Sequence, residues 1–461
     1  MKAPCLYRPW GPPGYIQYTT LCYNDLQPLY GLRGLDQRRM PYVEEKTFEY
    51  PVLIAIEMWG ASYLSTSHVS FFIANVPFLA ISALAATMAL FEAVKPKYKR
   101  ALLFAVGPPL VFYSFHNWDL LAVAPLAGAA WAWSRGKTFR VGALTGLGAA
   151  AKLFPAYGVP SLAVAAIAKG RAVRHGVALV GAAVATWTVV NAPFVVLELL
   201  KDGSLKGWLG VFAFHARRSP DFGTVWYWWA EWMSIPSHRT APASWVPTIS
   251  WMAGGGLLVG YVVGLRRRGR ACKTAPAAAV VVWLVGCVGI ALFGLSAVIM
   301  GGPTSQSYKE FVDVASLVLF LAGFFGLLLH QSRKGRDPWA TFGAVVCLFL
   351  LVSKVHSPQY ALWMLVFFVV VETPWPLIAS YFAADAVLLA SGFWWFAYSP
   401  NLGPSGWRTI FIASVYARAL VLAGLLIWYA VSGRDLIDLD EDSAELDLSK
   451  RVTAGSPSVF S

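Results

Sequence analysis

From about residue 70 to residue 432 the chain is a succession of apolar runs separated by short polar joints. Runs at 70–94, 101–116, 119–134, 141–168, 176–198, 246–265, 275–299, 310–331, 338–353, 361–372, 377–398 and 409–432 predict an all-α, polytopic transmembrane helical bundle. The expected count is about thirteen spans, several of them short enough to be tilted or broken. The basic residues order these runs, because Lys and Arg collect on the cytoplasmic side of a membrane. Lys95, Lys97, Lys99 and Arg100 follow the first run, Arg135, Lys137 and Arg140 follow the third, and Arg333, Lys334 and Arg336 follow the ninth span. The 141–168 run has basic clusters at both ends, so it must go out and return, with Lys152 and Pro155 at an outer turn.

The remaining segments fall into place around this frame. Residues 1–65 read as an extracytoplasmic first loop, rich in Pro and Gly, with an interfacial or re-entrant helix at 51–65 that is too short to span and carries Glu57. Residues 66–432 form the bundle, with an outer loop at 200–245, and residues 433–461 read as a cytoplasmic, acidic, disordered tail. The ordering maps Asp25, Asp119, Lys152, His215, Arg217, Arg218, Lys354 and His356 to one outer face. Cations there run against the usual bias, and an anionic ligand approached from that side would account for them. The densest polar stretch on this face, Val352–Tyr360, joins two long apolar runs yet holds Lys354, His356, Gln359 and Tyr360. Unpaired polar groups at membrane depth are costly, so such a cluster needs partners or a watery site.

Composition narrows the class. The chain has 461 residues, 57% of them hydrophobic and 13% charged, with a mean hydropathy of +0.56, which a soluble domain of this size would not carry. The formal charge of +13 would suit nucleic acid, but the cations sit in short clusters between apolar runs, as lipid-flanking anchors do, and nucleic-acid binding is not expected. Of five cysteines, only Cys5 and Cys22 lie in a polar region; a disulfide between them and two unpaired thiols are both open. No His/Cys metal spacing, Gly-rich phosphate loop or G-x-S-x-G elbow is present, and the glycines inside apolar runs fit close helix packing. No signal peptide is expected, since Met1-Lys2 leads straight into prolines with no apolar run behind them.

One acid facing several bases on a membrane surface suits transfer of a group from a lipid-linked phosphate. The carboxylate would deprotonate an acceptor hydroxyl, and the cations would neutralise the departing phosphate. Each residue also has a plainer explanation. Asp25 and Asp119 stand where an aspartate commonly caps a helix. Lys152 would snorkel to headgroups, Arg217 and Arg218 would be a solvated pair with His215 beside them, and Lys354 and His356 would belong to a structural hydrogen-bond network.

Five segments carry a family resemblance: Tyr23-Asn24-Asp25-Leu26-Gln27-Pro28-Leu29-Tyr30; Phe48-Glu49-Tyr50-Pro51, preceded by Pro41-Tyr42; Asn117-Trp118-Asp119; Ala151-Lys152-Leu153-Phe154-Pro155; and Lys354-Val355-His356-Ser357-Pro358-Gln359-Tyr360. Together they resemble actinobacterial glycosyltransferase family 87 proteins of the GT-C superfamily, and are similar to polyprenol-phosphate-mannose-dependent mannosyltransferases. The likeness runs from about residue 5 to 430. It implies a GT-C bundle in the cell membrane that takes a sugar from a polyprenyl phosphate on the extracytoplasmic side, with inversion and with no metal or other cofactor. It implies Asp25 as catalytic base, Lys152, Arg217, Arg218 and Lys354 near the donor phosphate, and His215, His356, Gln359 and Tyr360 lining the site. Glu49 and Asp119 are further site candidates.

Such proteins carry a membrane helix before the first outer loop, whereas this chain begins inside that loop. The expectation is that the product starts upstream or that this first span is missing. The expected partners are the polyprenyl-phosphate sugar, a glycolipid or cell-envelope glycan acceptor, and membrane lipids. Mannose is the first choice of sugar and arabinose the second. The competing readings are a non-enzymatic transporter or flippase for lipid-linked sugars, and a structural subunit of the envelope.

Overall fold

The computed structural model describes residues 1–45, 47–168, 173–232, 305–399 and 402–437. Among them the regular structure is helical, with two isolated β-bridges and no strand. The first loop contains α1 (Leu26–Leu32) and leads into α2 (Val52–Tyr63), whose buried face of Val52, Ile54, Ala55, Met58 and Ala61 packs on its neighbours. A capping box between Ser67 and Ser70 starts α3 (His68–Ala93). Then come α4 (Pro108–Tyr113) and α5 (Leu120–Ser134), α6 (Thr138–Ala151) and α7 (Val159–Ala168), and the long α8 (Val173–Asp202). Two shorter helices, α9 (Lys206–Arg217) and α10 (Val225–Trp232), precede α11 (Ser305–Lys334). The chain closes with α12 (Pro338–Val352), α13 (Ala361–Val370), α14 (Trp375–Tyr398) and α15 (Gly406–Val431).

Five of the described helices are long and apolar enough to cross a membrane: α3, α8, α11, α14 and α15. Two of them, α3 and α8, expose long rows of large apolar side chains. On α3 these are Ile73, Phe78, Ile81, Leu84 and Met88; on α8 they are Val177, Val184, Val189 and Val196. In water such stripes would drive aggregation, and in lipid they carry no cost. The centre is different in kind, because every residue of α13 from Ala361 to Val370 is buried by protein. The glycines pack helices closely where α6 meets α8. A Cβ on Gly142 would lie 2.0 Å from the Leu179 carbonyl oxygen, and one on Gly146 would lie 2.2 Å from that of Ala183.

The helices run between two chemically distinct ends. At one, Lys95 and Arg135 reach Glu92 at 2.6 and 3.3 Å, and Arg100 donates to the Phe368 carbonyl at 3.0 Å. At the other, the first loop, the 114–119 turn, Lys152 and the 353–360 stretch converge. Asp25, Asp119, Lys152, His215, Arg217 and Arg218, expected on one face, meet at this end.

Several expected boundaries change. The 101–116 run is not one span but a 3₁₀ turn, a single helical turn at Leu102–Ala105 and α4, interrupted where Gly107-Pro108-Pro109 restarts the chain. Beyond the five long helices, the described apolar helices α2, α5, α7, α12 and α13 have between 10 and 17 residues. The expected outer loop at 200–245 holds α9 and α10, and its remainder from 233, like the runs 246–265 and 275–299, lies outside the described residues.

The tail expected to be disordered from 433 is ordered through 437. The Asp435 carboxylate accepts from Trp339 N at 3.0 Å and Ala340 N at 2.8 Å, satisfying amides at the start of α12, where Pro338 supplies none. Glu372 N donates to Arg434 O and Leu436 N to Val370 O, each at 2.8 Å, which fastens the segment. Residues 438–461 lie outside the described residues.

Candidate functional site

At the second end lies a cavity of roughly 1440 Å³, bounded among the described residues by the first loop, α9, the 218–222 loop and the 357–360 turn. Asp25 lines it. The residue stands at the N-cap position of α1, yet its side chain makes no capping bond, so the capping explanation does not account for it. Its Oδ2 instead accepts from Asn117 Nδ2 at 2.7 Å, and the Tyr23 hydroxyl is a second partner. Burial holds the Asp25 pKa above its ordinary value, opposed by these two hydrogen bonds and by the Lys152 charge, with Asp119 adding to the rise.

Asp119 repeats the pattern. It stands at the N-cap of α5 without capping it, and its fully buried carboxylate accepts from Trp363 Nε1 at 2.8 Å and lies 3.4 Å from Lys152 Nζ. Lys152 does not snorkel. Extended backbone at Lys152 ends α6 and turns the side chain inward, between Asp119 and the face of Tyr50, whose ring centre is 5.0 Å from Nζ. Lys152, Tyr50 and Asn117 all line the cavity with Asp25.

The opposite wall comes from α9. Lys206, Leu209, Gly210, Ala213, Phe214 and Arg217 follow one helical stripe facing the cavity. Lys206 and Arg217 have no carboxylate partner among the described residues, while Arg218 lies 3.6 Å from Asp221. His215 Nε2 is 3.2 Å from the Glu49 carbonyl oxygen, a contact that makes Nε2 the donor. The ring lines the cavity from an exposed position on α9. Desolvation first, then the charges of Lys152, Arg218 and Lys354, bring its pKa down to about 4. His215 is therefore neutral at pH 7 and contributes a polar edge rather than a charge. Glu49 lines the cavity with its carboxylate bound to Arg33.

The 354–360 stretch divides in two. Gln359 and Tyr360 line the cavity; Tyr360 stacks on Trp363 with ring centres 4.1 Å apart, and Trp363 in turn holds Asp119. Lys354 and His356 stand behind the wall. Lys354 Nζ donates to Ala216 O at 2.8 Å and to Asp313, and His356 N donates to both oxygens of Asp221 at 3.0 and 3.1 Å. Burial, chiefly, holds the pKa of the Asp221 carboxyl up at about 6.

The sequence reading passed over Lys206, Lys309, Asp221 and Asp313. The 206–217 stripe was readable as an amphipathic period once the 200–245 loop was searched for helices. Asp221 and Asp313 carry no local signal, since their roles depend on Lys354 and His356, which are far away in the chain. The N-terminal segment is also built into the site. Cys5 and Cys22 form a disulfide, and Lys2 donates to the Tyr23 carbonyl and approaches His116 Nδ1 at 3.4 Å. Burial brings the Lys2 pKa down to about 7, with Asp25 opposing the fall.

Among the described residues no group of three or more His, Cys, Asp or Glu is placed to hold a metal ion. No protein-family model matches the chain, and no curated protein matches it.

Proposed function

We propose that this membrane protein is a glycosyltransferase of the GT-C kind, moving a sugar, mannose in the first instance, from a polyprenyl phosphate to a glycolipid or cell-envelope glycan on the extracytoplasmic side. The observation that supports it best is the half-buried Asp25 carboxylate, bound by Asn117 and Tyr23, opening on the same cavity as Lys152, Lys206, Arg217 and Arg218. In this reading Asp25 takes the proton of the acceptor hydroxyl as that oxygen bonds to the anomeric carbon. The carbon–oxygen bond to phosphate breaks on the opposite side, its electron pair stays with the phosphate, and the configuration inverts. The cations of the α9 wall and Lys152 offset the charge that grows on the leaving group. Tyr50 and Tyr360 offer rings beside the reacting centre.

The test uses the full chain in lipid nanodiscs with polyprenyl-phosphate mannose and a lipid acceptor. Asp25→Asn should lower turnover on the order of 10²–10⁴-fold while donor binding is retained. Equal turnover in variant and wild type would remove Asp25 as base. Wild-type protein that carries the lipid-linked sugar across a vesicle bilayer without transferring it would replace this reading with a transporter.

A further inference from the structure

The cavity wall formed by Arg218, Ser219, Pro220, Asp221 and Phe222 lies in neither a helix nor a strand, so its position depends on what it is tied to. One tie is the strip behind it. Asp221 N donates to Lys354 O at 3.0 Å, and the Asp221 carboxylate accepts from His356 N. The contact is tight at Gly223, where a Cβ would lie 3.1 Å from the His356 carbonyl oxygen and 3.2 Å from its Cβ.

The second tie comes from within the bundle. Arg418 stands in the middle of α15, a helix long enough to cross a membrane, and is only 3% exposed. Its Nη2 donates to the Gly223 carbonyl at 2.6 Å, whereas Nε and Nη1 have no hydrogen-bond partner among the described residues. On α14, Asp385 is 1% exposed and accepts from the Tyr113 hydroxyl at 3.0 Å, and it interacts electrostatically with Arg418. Burying a guanidinium at this depth with most of its donors unused costs several kcal/mol. Packing of α14 on α15 does not need it, because apolar residues of similar volume serve that end as well or better. The bond from the bundle to the loop is what an apolar residue would not make.

We propose that Arg418 is a positioning residue. It clamps the 218–223 wall against the 353–357 strip and so holds Arg218 at the distance from Asp25 that the phosphate-bearing substrate requires. Its kinetic consequence rests on the transferase reading, and its structural consequence does not. Arg418→Met keeps length and volume and removes the donors, while Arg418→Lys keeps charge without the fork. Gly223→Ala is a second variant that pushes the same wall from the His356 side without touching α15.

The full chain in nanodiscs is read in three ways. Amide exchange of residues 216–224 should rise on the order of tenfold in Arg418→Met with exchange of α3 and α8 unchanged; binding of polyprenyl phosphate should weaken; and the donor KM should rise about tenfold with kcat within about twofold. Arg418→Lys should fall between the two, and Gly223→Ala should give the same split if Arg418→Met does not fold. Unchanged exchange in 216–224, or a fall in kcat alone, overturns the inference. Raised exchange and weakened phosphate binding in a protein without transfer activity would sink the transferase reading and leave the clamp standing.

Discussion

Asn117 donates both amide hydrogens into the site, one to Asp25 Oδ2 at 2.7 Å and one to the Tyr50 hydroxyl at 2.8 Å, tying together residues 92 and 67 positions away. The bond to Asp25 favours the ionised carboxylate, burial disfavours it, and burial is the larger effect. If Asp25 is the base proposed above, it works ionised, and kcat/KM should fall as pH drops through a limb above the ordinary carboxylate range. Asn117→Ala removes a bond that favours the anion, so that limb should move to still higher pH while the plateau is kept. A pH–rate profile with the same acid limb in both proteins would contradict this assignment.

The Lys152–Asp119 pair sets a stability expectation. Lys152→Met leaves a fully buried carboxylate without its counter-ion, which in buried pairs costs about 3–5 kcal/mol. Adding Asp119→Asn removes the charge as well, and most of the loss should return. Thermal unfolding of the single and double variants checks this, and additive losses would refute the coupling.

His215 gives a pH dependence of opposite sign to a histidine held charged in an ion pair. Its pKa is brought down to about 4, below the unfolded value, so the neutral form is the one the folded state favours. Its contribution is complete above about pH 6.5 and is lost as pH falls toward 4. The difference in melting temperature between wild type and His215→Gln should shrink through that window. A difference constant from pH 7 to 4 would contradict a neutral His215.

Opening the Cys5–Cys22 disulfide releases the segment that leads directly into Tyr23 and Asp25. The sequence separation of 17 corresponds to a stabilisation of about 3 kcal/mol by loop-closure entropy. Cys5→Ser with Cys22→Ser should lower the melting temperature and reduce turnover more than donor binding. Turnover equal to wild type would separate the disulfide from the positioning of Asp25.

The candidate site was unevenly legible. Asp25, Asp119 and Lys152 stood out because charge is expensive beside apolar runs, and the tertiary structure gives each a polar partner. Lys354 and His356 stood out for the same reason, but their bonds go to Ala216, Asp313 and Asp221, so they brace the wall that Gln359 and Tyr360 reach. Polarity marks a residue that needs a partner. It does not say whether the partner is a ligand or a loop.

The sequence by itself determined the helical class and the polar residues that gather at one end, because hydropathy and the cost of charge beside apolar runs are local properties that each segment must satisfy alone. Only the tertiary structure decided that Asp25 and Asp119 are not caps, that Cys5 and Cys22 pair, that residues 433–437 fasten the start of α12, and that a buried arginine on α15 holds a loop far away in the chain. Those outcomes depend on which groups meet across the fold, where a contact either forms or does not, and no local pattern records it.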